Sequence, residues 1–427
     1  MLNAILSLHL INGNVPVIVN ILGVLALVAI VITRRWRKWY PIAVCVIVAG
    51  FFLGLVVCWI IGDVLDLFGV TLSIASRVWF GIGVAGLSLG IARLVFSRKR
   101  TAAIWMASAV VLALVGGLGL NSDLGEFPTV KNALGIGEYG QIRLPALGPT
   151  TSVATWIAPA KMPSKGRAGL VTIPASLSHF QARQAMVYLP PAALVANPPK
   201  LPVLELISGQ PGAPADLFTK GGLAARLDAI AAAHHGLAPI VVVPDQLGAP
   251  ARNPMCLNSS LGNSKTYLTV DVPQWIHHHL SVLSGANNWG IGGFSQGGTC
   301  AIQLGAALPK LFGTILDISG EIAPKSGSLG QTIADGFGGS TRAYRAAIPA
   351  NILKRVGPYT NSLALFSVGA GDTRYGIGLK EIAADASLAG MDSRMFVSPG
   401  SAHDWHTVAY ALDHTLPVIE HNWGLDV

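Results

Sequence analysis

Residues 288–298 read NWGIGGFSQGG, and this stretch decides how the second half of the chain folds. Residues 289–292 have the character of a short buried strand, and a helical pattern begins at Gln296. Between them, residues 293–297 fit G-x-S-x-G, in which a strained turn lifts a serine hydroxyl above the edge of a sheet. The glycines let strand and helix approach without clashing side chains. Ser295 is therefore the predicted nucleophile; the alternative is a serine in an ordinary glycine-rich turn.

A serine nucleophile needs a histidine to remove its proton and a carboxylate to orient that histidine. After an elbow of this kind the chain order is serine, acid, histidine. A predicted strand over residues 363–368 runs directly into Asp372, at the same end of the sheet as the elbow. Asp372 is the predicted acid. Three other carboxylates fit less well because they lie inside a strand, beside the histidine or before the serine: Asp317, Asp404 and Asp245.

The histidine is expected in the loop after the last strand. Residues 394–398 form that predicted strand, and residues 399–406 read PGSAHDWH before a helical pattern. His403 lies in the loop and is the predicted general base. His406, one helical turn further on, is the rival candidate.

An oxyanion hole requires two backbone N–H donors, one from the residue after the nucleophile and one from the loop after an earlier strand. Gln296 supplies the first in this prediction. A predicted strand over residues 201–207 ends in the sequence SGQPG, in which Pro211 has no N–H to donate. Gln210 is therefore the second predicted donor; the alternative for residues 208–212 is an ordinary turn.

Short apolar runs alternate with helical patterns along the second half of the chain. The predicted strands share lengths of four to eight residues and lie at residues 168–175, 185–189, 201–207, 239–244, 289–292, 314–319, 363–368 and 394–398. The predicted helices cover residues 217–234, 267–283, 296–308 and 379–389. This alternation predicts an α/β domain over residues 166–427, with a mostly parallel sheet covered on both faces.

The first 120 residues have a different character. The whole chain of 427 residues is 52% hydrophobic with a mean hydropathy of +0.54, which is too apolar for an ordinary soluble protein. Four apolar stretches are each near the roughly 20 residues that cross a bilayer, at residues 15–32, 41–62, 78–96 and 102–120. The sequence therefore predicts four transmembrane helices, followed by a linker over residues 121–165.

Charge predicts the orientation of these helices. Nine Lys/Arg and two acidic residues precede Asn121, so the net charge of +8 is concentrated beside the apolar segments and does not indicate nucleic-acid binding. Basic clusters at residues 34–38 and 98–100 follow the first and third segments. By the positive-inside rule both clusters are cytoplasmic, which places the N-terminus and the α/β domain outside the cytoplasmic membrane.

Over residues 167–423 the chain resembles the esterase D group of α/β-hydrolases. This group includes feruloyl esterases, S-formylglutathione hydrolase and the mycolyltransferases of the antigen 85 complex. The motifs that carry the resemblance are SGQPG at Ser208, GFSQGG at Gly293, DISGE at Asp317, GAGDT at Gly369 and GSAHDWHT at Gly400. The resemblance implies the α/β-hydrolase fold, the triad Ser295, Asp372 and His403, and acyl transfer through an acyl-serine without a cofactor.

The resemblance leaves the acceptor of the acyl group open. The mycolyltransferases are secreted and have bulkier residues after the nucleophile, which favours ester hydrolysis here over transfer to a sugar or lipid hydroxyl. Four membrane helices predict a lipid or envelope-attached ester as substrate, and the likeness to actinobacterial membrane esterases suggests aminoacyl lipids. A catalytically inactive membrane scaffold is the third hypothesis.

Four cysteines complete the sequence evidence. Cys45 and Cys58 fall in the second apolar segment, whereas Cys256 and Cys300 fall in the domain predicted to be in an oxidising compartment. Cys256 and Cys300 form either a disulfide or two free thiols. Three consecutive histidines, His277 to His279, point in different directions on a helix, so no metal site is expected.

Overall fold

The computed structural model consists of two compact units. It describes residues 2–32, 36–67, 69–96 and 101–426. The first unit comprises Met1–Glu138 with Ser401–His406, and the second comprises Tyr139–Gly400 with Thr407–Val427. The boundary between the two units, after Glu138, lies inside the segment that was predicted as a linker.

Four long apolar helices dominate the first unit: α2 (Asn14–Val31), α3 (Trp36–Trp59), α4 (Ile74–Val95) and α5 (Ala102–Leu124). A π-helical turn, Ile60–Val64, extends α3, and two short helices lie outside the four: α1 (Leu2–Leu6) and α6 (Val130–Ala133). All four long helices are long and apolar enough to cross a membrane. The predicted helices are thereby confirmed within a few residues at each end.

Small residues allow the long helices to pack closely. A Cβ added to Gly83 of α4 would lie 3.5 Å from the Cα of Gly116 in α5. A Cβ added to Gly86 would lie 2.6 Å from the Cβ of Leu112, also in α5. Glycine at these contacts brings the backbones together, which is how helices associate where no water drives them together.

The second unit is built on an eight-stranded sheet. Its strands are β1 (Arg167–Val171), β2 (Ala185–Leu189), β3 (Val203–Ile207), β4 (Ile240–Val243), β7 (Trp289–Phe294), β8 (Thr314–Ile318), β9 (Leu363–Gly369) and β10 (Asp392–Ser398). The order is β1-β2-β4-β3-β7-β8-β9-β10. Strand β2 is antiparallel to both of its neighbours, and all other pairs are parallel. This is the α/β-hydrolase sheet that the sequence predicts.

Helices separate most of the strands: α7 (Asp216–Thr219), α8 (Leu223–Ala233), α9 (Ser264–Thr266), α10 (Val272–His279), α11 (Gln296–Ala307), α12 (Leu329–Phe337), α13 (Thr341–Ala347), α14 (Pro349–Val356), α15 (Gly376–Leu388) and α16 (Trp405–Asn422). A π-helical turn, Tyr267–Asp271, precedes α10, and a small hairpin pairs β5 (Asn258–Ser259) with β6 (Gly262–Asn263). The predicted helix over residues 217–234 is in fact two helices, because Gly222 adopts a left-handed φ of 63° between them.

The core lies on both faces of the central strands. Every residue of β3, β7, β8 and β9 is buried, so these strands form the rigid centre of the unit. They all run in the same direction, and their carboxyl ends therefore meet at one edge of the sheet. Loops that leave this edge are the usual location of sites in parallel α/β folds.

Candidate active site

Ser295 is the single residue between β7 and α11. Its backbone has φ 56° and ψ −119°, a conformation that costs free energy in a residue with a side chain. The Ser295 N–H donates to the Ile318 carbonyl oxygen at 2.8 Å, which ties the turn to the end of β8. The strained serine therefore lies at a strand-to-helix junction, where the motif predicts it.

Two glycines of the elbow have no room for a side chain. A Cβ added to Gly293 would lie 2.6 Å from the Ile207 carbonyl oxygen, and one added to Gly297 would lie 2.6 Å from that of Ser208. Real Cβ atoms do not approach backbone oxygens so closely. The motif thus requires glycine at both positions because β3 and its following loop pass directly beside the elbow.

The loop after β3 lies against the nucleophile candidate. A Cβ added to Gly209 would lie 3.5 Å from the Cβ of Ser295. The loop is fixed on its other side by Arg183, whose Nη2 donates to the Gly212 carbonyl oxygen at 2.9 Å and to Asp245 Oδ1 at 2.7 Å. The structure thus places the Gln210 loop beside Ser295, and the role of Gln210 as an oxyanion donor stays a prediction.

Gln296 begins helix α11, whose N-terminus points its N–H groups and positive dipole end toward the elbow. The Thr299 N–H donates to the Ser295 carbonyl oxygen at 3.0 Å, so the Gln296 N–H precedes the first intrahelical bond. This position fits the predicted role of the Gln296 N–H as an oxyanion donor. The role itself stays a prediction.

Asp372 lies in the loop that follows β9, at the carboxyl edge of the sheet. Its side chain is buried, and its Oδ1 accepts a hydrogen bond from the Tyr375 N–H at 3.1 Å. Strand β9 is two strands from β7 through β8, all three in parallel. Asp372 and Ser295 therefore leave the same edge, as the predicted order of the triad requires.

The rival carboxylates have other environments. Asp317 is fully buried on β8, where burial raises the pKa of its carboxyl to about 7 although the Gly320 N–H donates to it. Asp245 is fully buried and forms an ion pair with Arg183. Asp404 Oδ2 accepts a hydrogen bond from the Ala402 N–H at 2.6 Å. Asp372 stays the predicted acid because of its place in the loop after β9.

His403 lies in the connection between β10 and α16. The Ala370 N–H donates to the Ser398 carbonyl oxygen at 2.8 Å, so the loops after β9 and β10 start side by side. His403 itself belongs to the segment Ser401–His406, which groups with the first unit. In that unit, His406 Nε2 lies 2.7 Å from the Ser122 carbonyl oxygen. The role of His403 as general base stays a prediction.

A cavity of about 460 Å³ lies between the segment that follows β8 and the residues at the start of α15. One wall is fixed to the elbow helix, because the Glu321 N–H donates to Thr299 Oγ1 at 2.8 Å. The other wall is fixed to the acid loop through the Tyr375 N–H and Asp372. The Tyr375 hydroxyl, 3.5 Å from Glu321 Oε1, connects the two walls. The cavity therefore lies between the elements that carry the predicted nucleophile and acid.

Comparison with known proteins establishes the family of the chain. The esterase family, described as "Putative esterase", matches residues 178–414, more than half of the 427 residues. The chain belongs to this esterase family. An uncharacterized protein of Corynebacterium glutamicum is 32% identical over 355 residues, which cover 80% of this esterase and 82% of that protein. The esterase is accordingly a serine hydrolase that acts on carboxylic esters.

Several solved structures have similar folds. An S-formylglutathione hydrolase from Agrobacterium tumefaciens is 20% identical, covers 62% of the esterase and 98% of its own chain, and has a TM-score of 0.49. MPT51 of Mycobacterium tuberculosis is 18% identical, with coverage of 60% and 99% and a TM-score of 0.45.

The cavity of the esterase has a mixed lining. Three large apolar side chains at its mouth are more than half exposed: Ile322, Leu329 and Ile377. Charged side chains of both signs also line it: Glu321, Lys325, Arg374 and Glu381. The lining therefore combines exposed apolar side chains with charged side chains of both signs, a combination that suits an amphiphilic ligand.

Sequence reasoning missed this cavity of the esterase. Its lining comes from the segment between β8 and α12, from α12 and α13, and from the residues around the start of α15. Helices α12, α13 and α14 have only seven to nine residues each, so each gives a short periodic pattern that is hard to recognise in a sequence. The one signal that could have indicated the cavity is the position of these residues between the elbow motif and the predicted acid.

A disulfide joins Cys256 and Cys300 in the esterase. Cys300 lies on α11 one turn after Gln296, and Cys256 lies in the segment before the β5–β6 hairpin. Gln296 Nε2 is 3.1 Å from Cys300 Sγ, so the disulfide is in contact with the elbow. Of the two arrangements open to the sequence, the structure has the bonded one.

No cluster of three or more His, Cys, Asp or Glu side chains suited to a metal ion occurs among the described residues of the esterase. Two of the three consecutive histidines stack on tryptophan rings. His277 stacks on Trp289 and His279 on Trp275, each with ring centroids 4.8 Å apart.

Proposed function

We propose that this protein is a membrane-anchored esterase in which Ser295 is the nucleophile and the hydrolase unit lies outside the cytoplasmic membrane. The observation that carries the proposal is the strained backbone of Ser295 at the junction of β7 and α11, within a chain of the esterase family. Strain of this kind persists only where the surrounding structure enforces it, and it is concentrated at functional sites.

The proposed reaction has two halves. Ser295 Oγ attacks the ester carbonyl carbon while His403 accepts the hydroxyl proton, and Asp372 orients the imidazole and stabilises the imidazolium. The N–H groups of Gln296 and Gln210 stabilise the oxyanion. The C–O bond to the alcohol then breaks, and the alcohol leaves with the proton from His403. In the second half, water gives its proton to His403, attacks the acyl-serine and releases the acid and the free serine.

The cavity supports an amphiphilic ester as the substrate. Its apolar rim of Ile322, Leu329 and Ile377 suits acyl chains, and four apolar helices suit a protein that meets its substrate at a membrane. The Glu321 carboxylate, which lines the cavity near the Tyr375 hydroxyl, is an acceptor suited to an ammonium group. Lipids that carry an aminoacyl ester combine both features and are the favoured substrate class.

The proposed orientation depends on the sequence. Residues 34, 35 and 98–100 of the two basic clusters lie outside the described residues. The positive-inside rule applied to these clusters places the connections after α2 and α4 in the cytoplasm, and the hydrolase unit on the other side.

The test uses the full-length protein in mixed detergent–lipid micelles. Wild type is expected to hydrolyse p-nitrophenyl butyrate and an aminoacyl phospholipid, and Ser295→Ala to lose at least about 1,000-fold in kcat. Ser284→Ala, at an exposed serine, is the matched control. A folded wild-type protein inactive on all esters would support the scaffold hypothesis and contradict the proposal.

The acyl acceptor is tested in the same assay. In water labelled with oxygen-18, hydrolysis places the label in the released acid. Transfer to an added sugar or lipid hydroxyl instead gives an unlabelled ester product, which would support an acyltransferase.

A further inference from the structure

The side-chain amide of one buried glutamine joins the two elements that carry the predicted oxyanion donors. Gln246 follows Asp245 after β4 and is completely buried. Its Nε2 donates to the Ser208 carbonyl oxygen at 2.6 Å and to Gln296 Oε1 at 2.9 Å. Both hydrogens of one amide are therefore used, one on each side of the predicted oxyanion hole.

The two acceptors belong to different elements. Ser208 begins the loop after β3, two residues before Gln210, and Gln296 is the first residue of α11. The two elements meet beside the elbow serine, since a Cβ on Gly209 would lie 3.5 Å from that of Ser295. A group that bonds both elements sets the distance between the N–H groups of Gln210 and Gln296.

The Gln296 side chain is also held from its other end. Its Nε2 donates to Asn253 Oδ1 at 3.1 Å and lies 3.1 Å from Cys300 Sγ in the disulfide. Asn253 Oδ1 in turn accepts from the Met255 N–H at 2.9 Å. The carboxamide of Gln296 is thus fixed at both its oxygen and its nitrogen.

We propose that Gln246 is a positioning residue that holds the two oxyanion-hole loops at their catalytic separation. The inference rests on the proposed function, in which Ser295 is the nucleophile. Oxyanion stabilisation depends steeply on donor distance, and a misplacement of about 1 Å costs on the order of 100-fold in rate. Loss of the bridge is expected to slow acylation while substrate binding in the cavity stays intact.

The experiment compares two buried glutamines in the full-length protein. Gln246→Met keeps the side-chain volume and removes both hydrogen bonds. Gln303→Met makes the same change at a buried glutamine on α11, two turns beyond the elbow. With p-nitrophenyl butyrate, Gln246→Met is expected to lower kcat by about 10- to 100-fold with KM within about twofold of wild type. Gln303→Met is expected to keep the wild-type kcat.

Two results would overturn the positioning role. One is a wild-type kcat in folded Gln246→Met while Ser295→Ala is inactive, and the other is an equal loss of kcat in Gln246→Met and Gln303→Met, which would show a general packing effect. Activity in Ser295→Ala would instead remove the proposed function, and the inference with it.

A second variant keeps the inference testable if Gln246→Met does not fold. Gln246→Glu has the same shape, and its carboxyl donates one hydrogen bond only when protonated. The ratio of its kcat to that of wild type is expected to be about tenfold higher at pH 5 than at pH 8. A ratio of one at both pH values would contradict the positioning role.

Discussion

At the scale of single residues, the elbow requires glycine at a position where a Cβ atom would not fit. Gly297 lies against the Ser208 carbonyl oxygen, and a Cβ there would lie 2.6 Å away. Gly297→Ala is expected to displace the loop after β3 and to lower kcat at least about 100-fold, because that loop carries a predicted oxyanion donor. Steady-state kinetics and a thermal unfolding scan measure the effect.

The control for this substitution is Gly330 in α12, where a Cβ would meet open space. Gly330→Ala is expected to keep full activity and to stabilise the fold by up to about 1 kcal/mol, because alanine favours the helix. If Gly297→Ala were as active as Gly330→Ala, the close approach at the elbow would be wrong.

Asp317 makes stability depend on pH. Burial raises the pKa of its carboxyl from 3.8 to about 7, so the folded state binds this proton more tightly than the unfolded state. The stabilisation of the folded state by this proton is fully present below pH 4 and is lost as the pH rises through 7. Over this range the free energy of unfolding falls by at most about 1.4 kcal/mol per pH unit. Asp317→Asn is expected to reduce the fall in Tm between pH 5 and pH 8.

The comparison needs a control because other buried carboxyls, such as Glu420 with its pKa raised to about 7, titrate in the same range. Asp335→Asn changes an exposed carboxylate on α12 and is expected to keep the wild-type pH dependence. Identical Tm curves for wild type and Asp317→Asn would contradict the raised pKa.

The positions of residues that follow strand ends were predictable from the sequence, and the positions of residues brought together by tertiary contacts were not. Ser295 and Asp372 follow strand ends, which a sequence reveals through apolar runs. Gln246 and Arg183 reach the site only because β4 and β2 bring them to the loop after β3. No local pattern encodes that contact, since it depends on the order of strands in the sheet.

At the scale of elements, a buried ion pair fixes the loop after β3. Asp245 is fully buried and Arg183 is 27% exposed, whereas Arg394 and Asp392 on β10 are both about half exposed. Arg183→Met removes the cationic partner of a buried carboxylate that keeps the backbone N–H donors of residues 183, 247 and 248. The substitution is expected to cost about 2–3 kcal/mol of unfolding free energy. Arg394→Met is expected to cost less than about 1 kcal/mol. Equal losses in chemical denaturation would contradict this difference.

The disulfide is the second element-scale constraint. It closes a loop over a sequence separation of 44 residues, and loop-closure entropy predicts a contribution of about 4 kcal/mol to the unfolding free energy. The double variant Cys256→Ala/Cys300→Ala is expected to lose most of it, whereas Cys45→Ala, at an exposed position of α3, is expected to lose little. A count of four free thiols in denatured wild type would show that the disulfide is absent and would contradict this expectation.

Elements differ in how far the sequence specifies them. Strand β2 and helix α11 match their predicted bounds within one residue, because their buried patterns are uniform. Helices α12 to α14 were not predicted, since they have only seven to nine residues each and the starts of α12 and α13 are set by the caps Ser328 and Ser340. Part of the cavity lining comes from these less predictable helices.

At the scale of the whole molecule, composition distinguishes a part of the chain suited to a membrane from a part suited to water. The first 120 residues contain 11 of the 50 charged side chains, and the remainder contains 39 in near balance. Charge and hydropathy therefore predicted apolar helices followed by an α/β fold, and the structure contains both. The predicted domain bounds and the linker over residues 121–165 stay a prediction. Neither quantity specifies which ester the cavity accepts, because that depends on side chains brought together by folding.

The most direct test of the account is activity-based labelling of intact cells with a fluorophosphonate that cannot cross the membrane. Cells that contain wild type are expected to show a labelled band of the full-length protein, and cells that contain Ser295→Ala are expected to show none. This result would establish Ser295 as an activated serine that faces outward. A band of equal strength in Ser295→Ala, or labelling of wild type only after lysis, would contradict the nucleophile or the orientation, respectively.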